Sequence, residues 1–341
     1  MPVGTDLDHA VRLLRAGRLV AFPTETVYGL GADASSPAAV AGIFAAKGRP
    51  RAHPLIVHLP SADHLDAWAA APGPAARTLA ARFWPGPLTL ICRRGPGVID
   101  DVTGGAATVG LRVPSHPMAH ALLARFAGGI AAPSANRFGR LSPTTAADVV
   151  DDLGDAVDYV LDGGACDVGV ESTIVDVSDD DAPALLRPGG VAGEDIEAAL
   201  GRRLRLGSSS PAPGTLPSHY APRTRVITVT ADGLAAAVAA AAAGGARVAV
   251  LAPATALAGL GPRPALVVRS LPDGLAAMAH DLYGALRALD QRGVDVIVAV
   301  VPAELGLGAA VADRLRRAAG PRGDDAADPV APVDLDDGDR P

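Results

Sequence analysis

A single lysine, Lys47, stands in a chain whose other basic residues are all arginine. A composition that has put arginine at every other such position has kept lysine here. A compact ammonium can sit as a point charge among oxygens, whereas a guanidinium is planar and larger; chance retention at a surface position is the plain alternative. The neighbourhood reads K-G-R-P-R-A-H-P-L-I-V-H, so Lys47, Arg49, Arg51, His53 and His58 cluster at a helix end and on the strand that follows. Arginine forks and lysine point charges stabilise anionic oxygens, so the cluster suits a polyphosphate or a carboxylate. It is not a Walker loop, because G-x-x-x-x-G-K-[ST] occurs nowhere in the chain.

Further polar residues sit where strands end. In FPTETVYGLGADA, Thr24, Glu25 and Thr26 follow a strand, at the end where open α/β sheets place ligands. Gly29 and Gly31 are read as a Gly-rich turn that lets backbone approach a ligand. In TVGLRVP, Arg112 closes an apolar strand and needs an anion, because an unpaired buried charge is very costly. An Asp or Glu of the chain would satisfy it as well as a substrate carboxylate. Ser134, Asn136 and Ser142 form a loop of small polar groups whose N–H groups suit phosphate, although turn chemistry also uses these residues. Ser172 in GVESTIVD and Arg187 in LLRPGG are polar residues beside apolar strands. No nucleophile–base pair stands out. A reaction whose nucleophile belongs to the substrate fits that pattern, with the protein positioning and neutralising. The residues by themselves reach as far as an α/β enzyme with an anionic, phosphorylated ligand.

Strand-length apolar runs interleave with helical patterns over the first two hundred residues, which argues for an α/β domain with some antiparallel pairing. Domain boundaries are read at 1–203, a Pro/Gly/Ser-rich linker at 204–222, a smaller Rossmann-like domain at 223–320 and an acidic, disordered tail at 321–341. The second domain lacks G-x-G-x-x-G after its first strand, so a dinucleotide site is not supported. The linker, LGSSSPAPGTLPSHYAP, contains His219 and Tyr220, unusual choices for a passive spacer. They suggest a lid over a ligand.

Hydrophobic residues make up 49% of the 341, enough for two cores, and the net charge of −7 is concentrated in the tail. A near-neutral body with few aromatics does not advertise nucleic-acid binding, so direct tRNA contact is not indicated. No apolar run is long enough to cross a membrane. Cys92 and Cys166 are far apart, without zinc or disulfide spacing, and a cytoplasmic location is expected.

Together these segments resemble the YrdC-type threonylcarbamoyl-AMP synthase family. FPTETVYGLGADA, KGRPRAHPLIVHL, FWPGPLTLI, TVGLRVPSHP, APSANRFGRLSP, GVESTIVD and LLRPGGV occur in family order. HYAP, DLYGALRALDQRGVDVIV and GLGAAVADRLRRAA extend the resemblance to the longer family form. It implies a YrdC-like twisted mixed sheet with a concave cleft. The implied reaction joins L-threonine, bicarbonate and ATP, accompanied by Mg²⁺, into threonylcarbamoyl-AMP and pyrophosphate. The product would pass to a tRNA threonylcarbamoyltransferase complex. By position, Thr26, His58, Arg112, Ala132 and Ser172 would hold threonine. Arg49, His53, Thr108, Ser134, Ser142, Arg187 and Tyr220 would hold ATP, with Lys47 and Arg49 beside the reacting groups; no metal ligand is implied. The chain departs from the family pattern at His53, where Asn is common, and at Phe138-Gly139, where Ser-Gly is usual. A related carbamoyl-transferring maturation factor carries Cys-rich zinc motifs, which two isolated cysteines do not supply.

Overall fold

The structure, a computed structural model, describes residues 2–216, 219–261 and 266–321. The acidic tail expected at 321–341 lies outside the described residues from 322 onward. Strands and helices alternate through the first two hundred residues, as the interleaved patterns suggest. The helix Pro37–Lys47 shows why: Ser36 caps its first turn, proline opens it, and Gly48 at φ 62° ends it. Proline at the start and left-handed glycine just past the end suit the free N–H and C=O groups there. Lys47 is thereby fixed as the helix's last residue.

Eleven strands form one mixed sheet. Its first half runs Val3–Gly4, Tyr159–Leu161, Val20–Phe22, Gly29–Asp33, Ile130–Ala131 and Ile56–His58. It continues through Thr108–Arg112, Leu88–Arg93, Thr173–Asp176, Ala184–Arg187 and Arg205–Leu206. That last strand pairs in parallel with Ala184–Arg187.

One segment differs from its sequence reading. Gly29–Asp33 is a buried strand, antiparallel to Val20–Phe22, and not a turn. The two glycines answer to packing: a Cβ on Gly31 would lie 2.8 Å from the Phe22 ring and 3.0 Å from Ile130. The helix Pro74–Phe83 also escapes the sequence pattern, because its buried face is largely alanine: Ala75, Ala76, Leu79 and Ala80.

The second sheet is parallel, in the order Arg225–Val229, Val296–Val300, Val248–Pro253, Val267–Leu271. Leu234–Ala243 packs on one face through Leu234 and Val238. On the other face lie Leu275–Asp290 and Leu307–Ala318, and their core also takes in Val27, Leu141 and Val170 of the first domain and Tyr220 of the linker. One apolar cluster therefore spans both domains, beside the cores that each has of its own. Burial of this kind supplies the main free energy of association.

Gly169 sits on that boundary at φ 78°, where a Cβ would come within 2.5 Å of His280 Cα and 2.6 Å of the Ala279 carbonyl. Gly169→Ala should lower stability by about 1–3 kcal/mol, from backbone strain and forced separation of the boundary. Urea denaturation followed by tryptophan fluorescence checks this; an unchanged midpoint would show that the boundary yields freely.

Candidate active site

Strand register builds the first wall of an open-mouthed cavity. Ile56–His58 and Thr108–Arg112 run parallel with His58 opposite Arg112, so both strands end together. The Ala132 amide donates to the Ile56 carbonyl at 2.9 Å, bringing the 132–134 loop alongside. Thr26, His58, Arg112, Ala132 and Ser172, all expected for threonine, line this cavity. Of the residues expected for ATP, Arg49, Ser134, Arg187 and Tyr220 line it too.

Arg112 is buried and answers its charge within the protein: Nη2 lies 2.8 Å from Glu25 Oε1, in an ion pair that is 4% and 6% exposed. Nη1 donates to Thr26 Oγ1 at 2.9 Å and Nε to the Gly86 carbonyl at 3.3 Å. Burial pushes the Glu25 carboxyl up, and Arg112 more than offsets this, so Glu25 is held below its usual range. The alternative read from the sequence, an acid of the chain as partner, is thus realised at a residue that also faces the cavity. Of the guanidinium's five N–H groups, two are used in hydrogen bonds to Thr26 and Gly86, while Nη2 meets Glu25 as an ion pair and makes no hydrogen bond among the described residues. Beside it, burial and then the Arg112 charge lower His58 to about 3, so its ring is neutral. His58 Nδ1 is buried without a hydrogen-bond partner among the described residues.

The opposite wall is cationic. Arg187 Nη2 donates to the Ser172 carbonyl at 2.9 Å and to its hydroxyl at 3.2 Å, and Nη1 reaches Tyr220 Oη and the Pro213 carbonyl at 3.1 Å each. Arg49 donates to the Pro54 carbonyl at 3.0 Å and stacks over Phe138 at 5.5 Å. The departure from the family pattern at Phe138 therefore supplies a ring under an arginine where a hydroxyl is usual.

Four expected residues lie outside this wall. Lys47 Nζ donates to the Ser134 and Asn136 carbonyls at 2.5 Å each, which places it behind the loop rather than in the cavity. Burial, then Arg49, lower its pKa well below the ordinary range. His53 packs edge-on to Phe138, 5.4 Å between centroids. Thr108 opens the strand that Arg112 closes, pairing with Arg93. Ser142 donates to Glu171 Oε1 at 2.5 Å.

Glu171 lines the cavity and was not singled out in the sequence. An acid inside V-E-S-T-I-V invites the argument made for Arg112, that a charge in an apolar run must be paired. Its partners are Ser142, Tyr283 and Arg314. Burial raises the carboxyl, and Arg314 and then Arg187 more than reverse that, leaving it lowered to about 2.

The linker completes the enclosure. Pro213, Gly214, His219 and Tyr220 line the cavity, and Tyr220, at φ 58°, is 1% exposed. Both domains grip it: Ala221 N donates to the Gly139 carbonyl at 2.9 Å and His219 N to that of Arg317 at 3.2 Å. Its HY pair is a wall of the site and not part of a tether.

Burial lowers His58 and His219 from 6.5 to about 3, so each gains its proton first in the unfolded chain. Stability should therefore hold above pH 6.5 and fall as pH drops from there towards 3. Glu171, lowered from 4.5 to about 2, adds a further loss below 4.5. Urea midpoints between pH 8 and 4.5 should show the fall, and His219→Gln should make it shallower; an equal slope in that variant would contradict the assignment.

The Sua5/YciO/YrdC family model, described as telomere recombination, matches residues 12–189. A second, described as threonylcarbamoyl-AMP synthase, C-terminal domain, matches 191–320. The threonylcarbamoyl-AMP synthase of Pyrococcus abyssi (strain GE5 / Orsay) is 42% identical over 327 residues, covering 92% of this chain and 94% of that one. That of Bacillus subtilis (strain 168) is 41% identical, covering 93% of each. The crystal structure of P. abyssi Sua5 complexed with L-threonine superposes with a TM-score of 0.87 at 39% identity, covering 94% of this chain and 97% of that one. With both of its domains matched and its length nearly covered, the chain belongs to the Sua5/YrdC family of threonylcarbamoyl-AMP synthases, in the form that carries the C-terminal domain.

Proposed function

We propose that the protein makes L-threonylcarbamoyl-AMP from L-threonine, bicarbonate and ATP, releasing pyrophosphate and supplying threonylcarbamoyl for tRNA modification. The observation that carries this is the two-sided cavity. A neutral, hydroxyl-bearing end around Thr26, His58 and Arg112 faces a cationic end around Arg49 and Arg187, under one linker wall. Threonine's carboxylate takes N–H groups of Arg112 that make no hydrogen bond among the described residues. Its amine adds to CO2 from bicarbonate, with loss of water, to give a carbamate. A carbamate oxygen then forms a bond to the α-phosphorus of ATP as the bond to pyrophosphate breaks.

The nucleophile is the substrate's own, so the protein's part is to orient it and to stabilise charge on the phosphate oxygens. Arg49 and Arg187 supply that charge from fixed positions. Lys47 contributes from behind, by holding the Ser134 and Asn136 carbonyls so that the loop's other face meets the nucleotide. His53, Thr108 and Ser142 join the ATP side as its outer supports. Tyr220 and His219 keep water from a mixed anhydride that water would cleave. Among the described residues no cluster of three or more His, Cys, Asp or Glu stands where it could hold a metal ion. Mg²⁺ would enter with ATP as part of the substrate. No helix among the described residues is long and apolar enough to cross a membrane. The proposed setting is the cytoplasm, where a tRNA threonylcarbamoyltransferase complex would receive the product.

Incubation with all three substrates should yield pyrophosphate and an AMP adduct, and neither when threonine or bicarbonate is omitted. ADP and inorganic phosphate as products would sink the proposal, since they report attack at a different phosphorus. Lys47→Arg should lower kcat about tenfold, because a planar fork cannot hold two carbonyls converging on one nitrogen. Wild-type turnover in that variant would make the lone lysine a compositional accident.

A further inference from the structure

We infer that Glu171 is a positioning residue for the nucleotide side of the cavity, held and neutralised there by Arg314 and Tyr283 of the C-terminal domain. The inference rests on the proposed function and gives the second domain a task in it. Glu171 Oε2 accepts from Arg314 Nε at 2.5 Å, and both its oxygens lie 3.0 Å from Tyr283 Oη. Arg314 is 0% exposed, on the helix Leu307–Ala318, and its guanidinium also covers the Tyr220 ring at 4.9 Å.

Two routes lead from this centre into the cavity. Through Glu171 it fixes the Ser142 hydroxyl. Through Tyr220 it reaches Arg187.

Glue between domains does not call for buried charge, since apolar residues of similar volume often serve as well or better. The location gives the charge a use. A bare carboxylate on the wall of an anion cavity would repel phosphate oxygens. Arg314 cancels it and leaves Arg49 and Arg187 free to act on the nucleotide. Arg314 and Tyr283 touch no substrate and act through Glu171 and Tyr220.

The test separates the two substrates. In the full chain, Arg314→Met leaves Glu171 charged and unpaired, and should raise KM for ATP about tenfold. L-threonine affinity, measured by calorimetry with threonine alone, should change less than about twofold. Glu171→Gln added to Arg314→Met removes both charges and should recover part of the ATP loss. Tyr283→Phe deletes one hydroxyl and little volume; it should raise KM for ATP about threefold, and it keeps the test open if the charge variants do not fold. Equal weakening of threonine and ATP would overturn the inference. So would a lower Tm with unchanged KM for ATP, or a double variant no better than Arg314→Met. Wild-type protein that releases no pyrophosphate with the three substrates would instead overturn the proposed function.

Discussion

Glu171 and Arg314 meet across the domain boundary, 143 residues apart in sequence, with almost no solvent on either side chain. Such a pair has high costs on both sides. Each charge loses its hydration, and only close geometry with further hydrogen bonds makes up for it. Ser142 and Tyr283 supply those bonds, and Tyr220 lies beneath the guanidinium. The second domain cannot shift relative to the first without uncovering this charge, and the linker cannot lift without exposing Tyr220. Domain placement, linker path and the cationic wall all meet at one buried carboxylate and its partners.

The same constraint draws the rest of the cavity. Arg112 is paired with Glu25, Arg187 is held by the carbonyls of Ser172 and Pro213, and Lys47 is held by those of Ser134 and Asn136. Each buried cation is held by groups from a different part of the chain. Their directions are therefore set before any ligand arrives, which is the condition under which fixed charge stabilises a transition state most effectively. A site of this kind needs no protein nucleophile. It suits chemistry in which two bound substrates react with each other.

A Pro/Gly/Ser-rich segment ordinarily behaves as a flexible tether. Here it is pinned at Ala221 to Gly139, at His219 to Arg317 and at Tyr220 to Arg187. Its prolines limit the conformations lost on settling, and two aromatic rings give it apolar surface to bury. Any opening of the cavity on this side must break contacts to both domains together, which ties access to the site to the domain boundary.

Local rules made much of this protein legible in its sequence. Ser36, Pro37 and Gly48 define a helix that ends at Lys47, because caps and stops act within one turn. Apolar runs marked most strands, and His58 and Arg112 at the ends of two of them share a cavity, because parallel strands ending in register put those ends side by side. The oddity of His219 and Tyr220 in a spacer was visible without coordinates. Gly29–Asp33 was misread because glycine suits a turn as well as a close approach, and only Phe22 and Ile130, packed against it, decide between them. The sequence left open whether Arg112 would find an acid or a substrate; Glu25 beside it settled the first half of that question. Glu171 went unnoticed because the cation that pairs with it, Arg314, lies in the second domain. Local sequence determined which residues were charged and which elements carried them. The tertiary structure decided which charges met, since pairing across 143 residues depends on how two sheets pack and leaves no periodic trace in the chain.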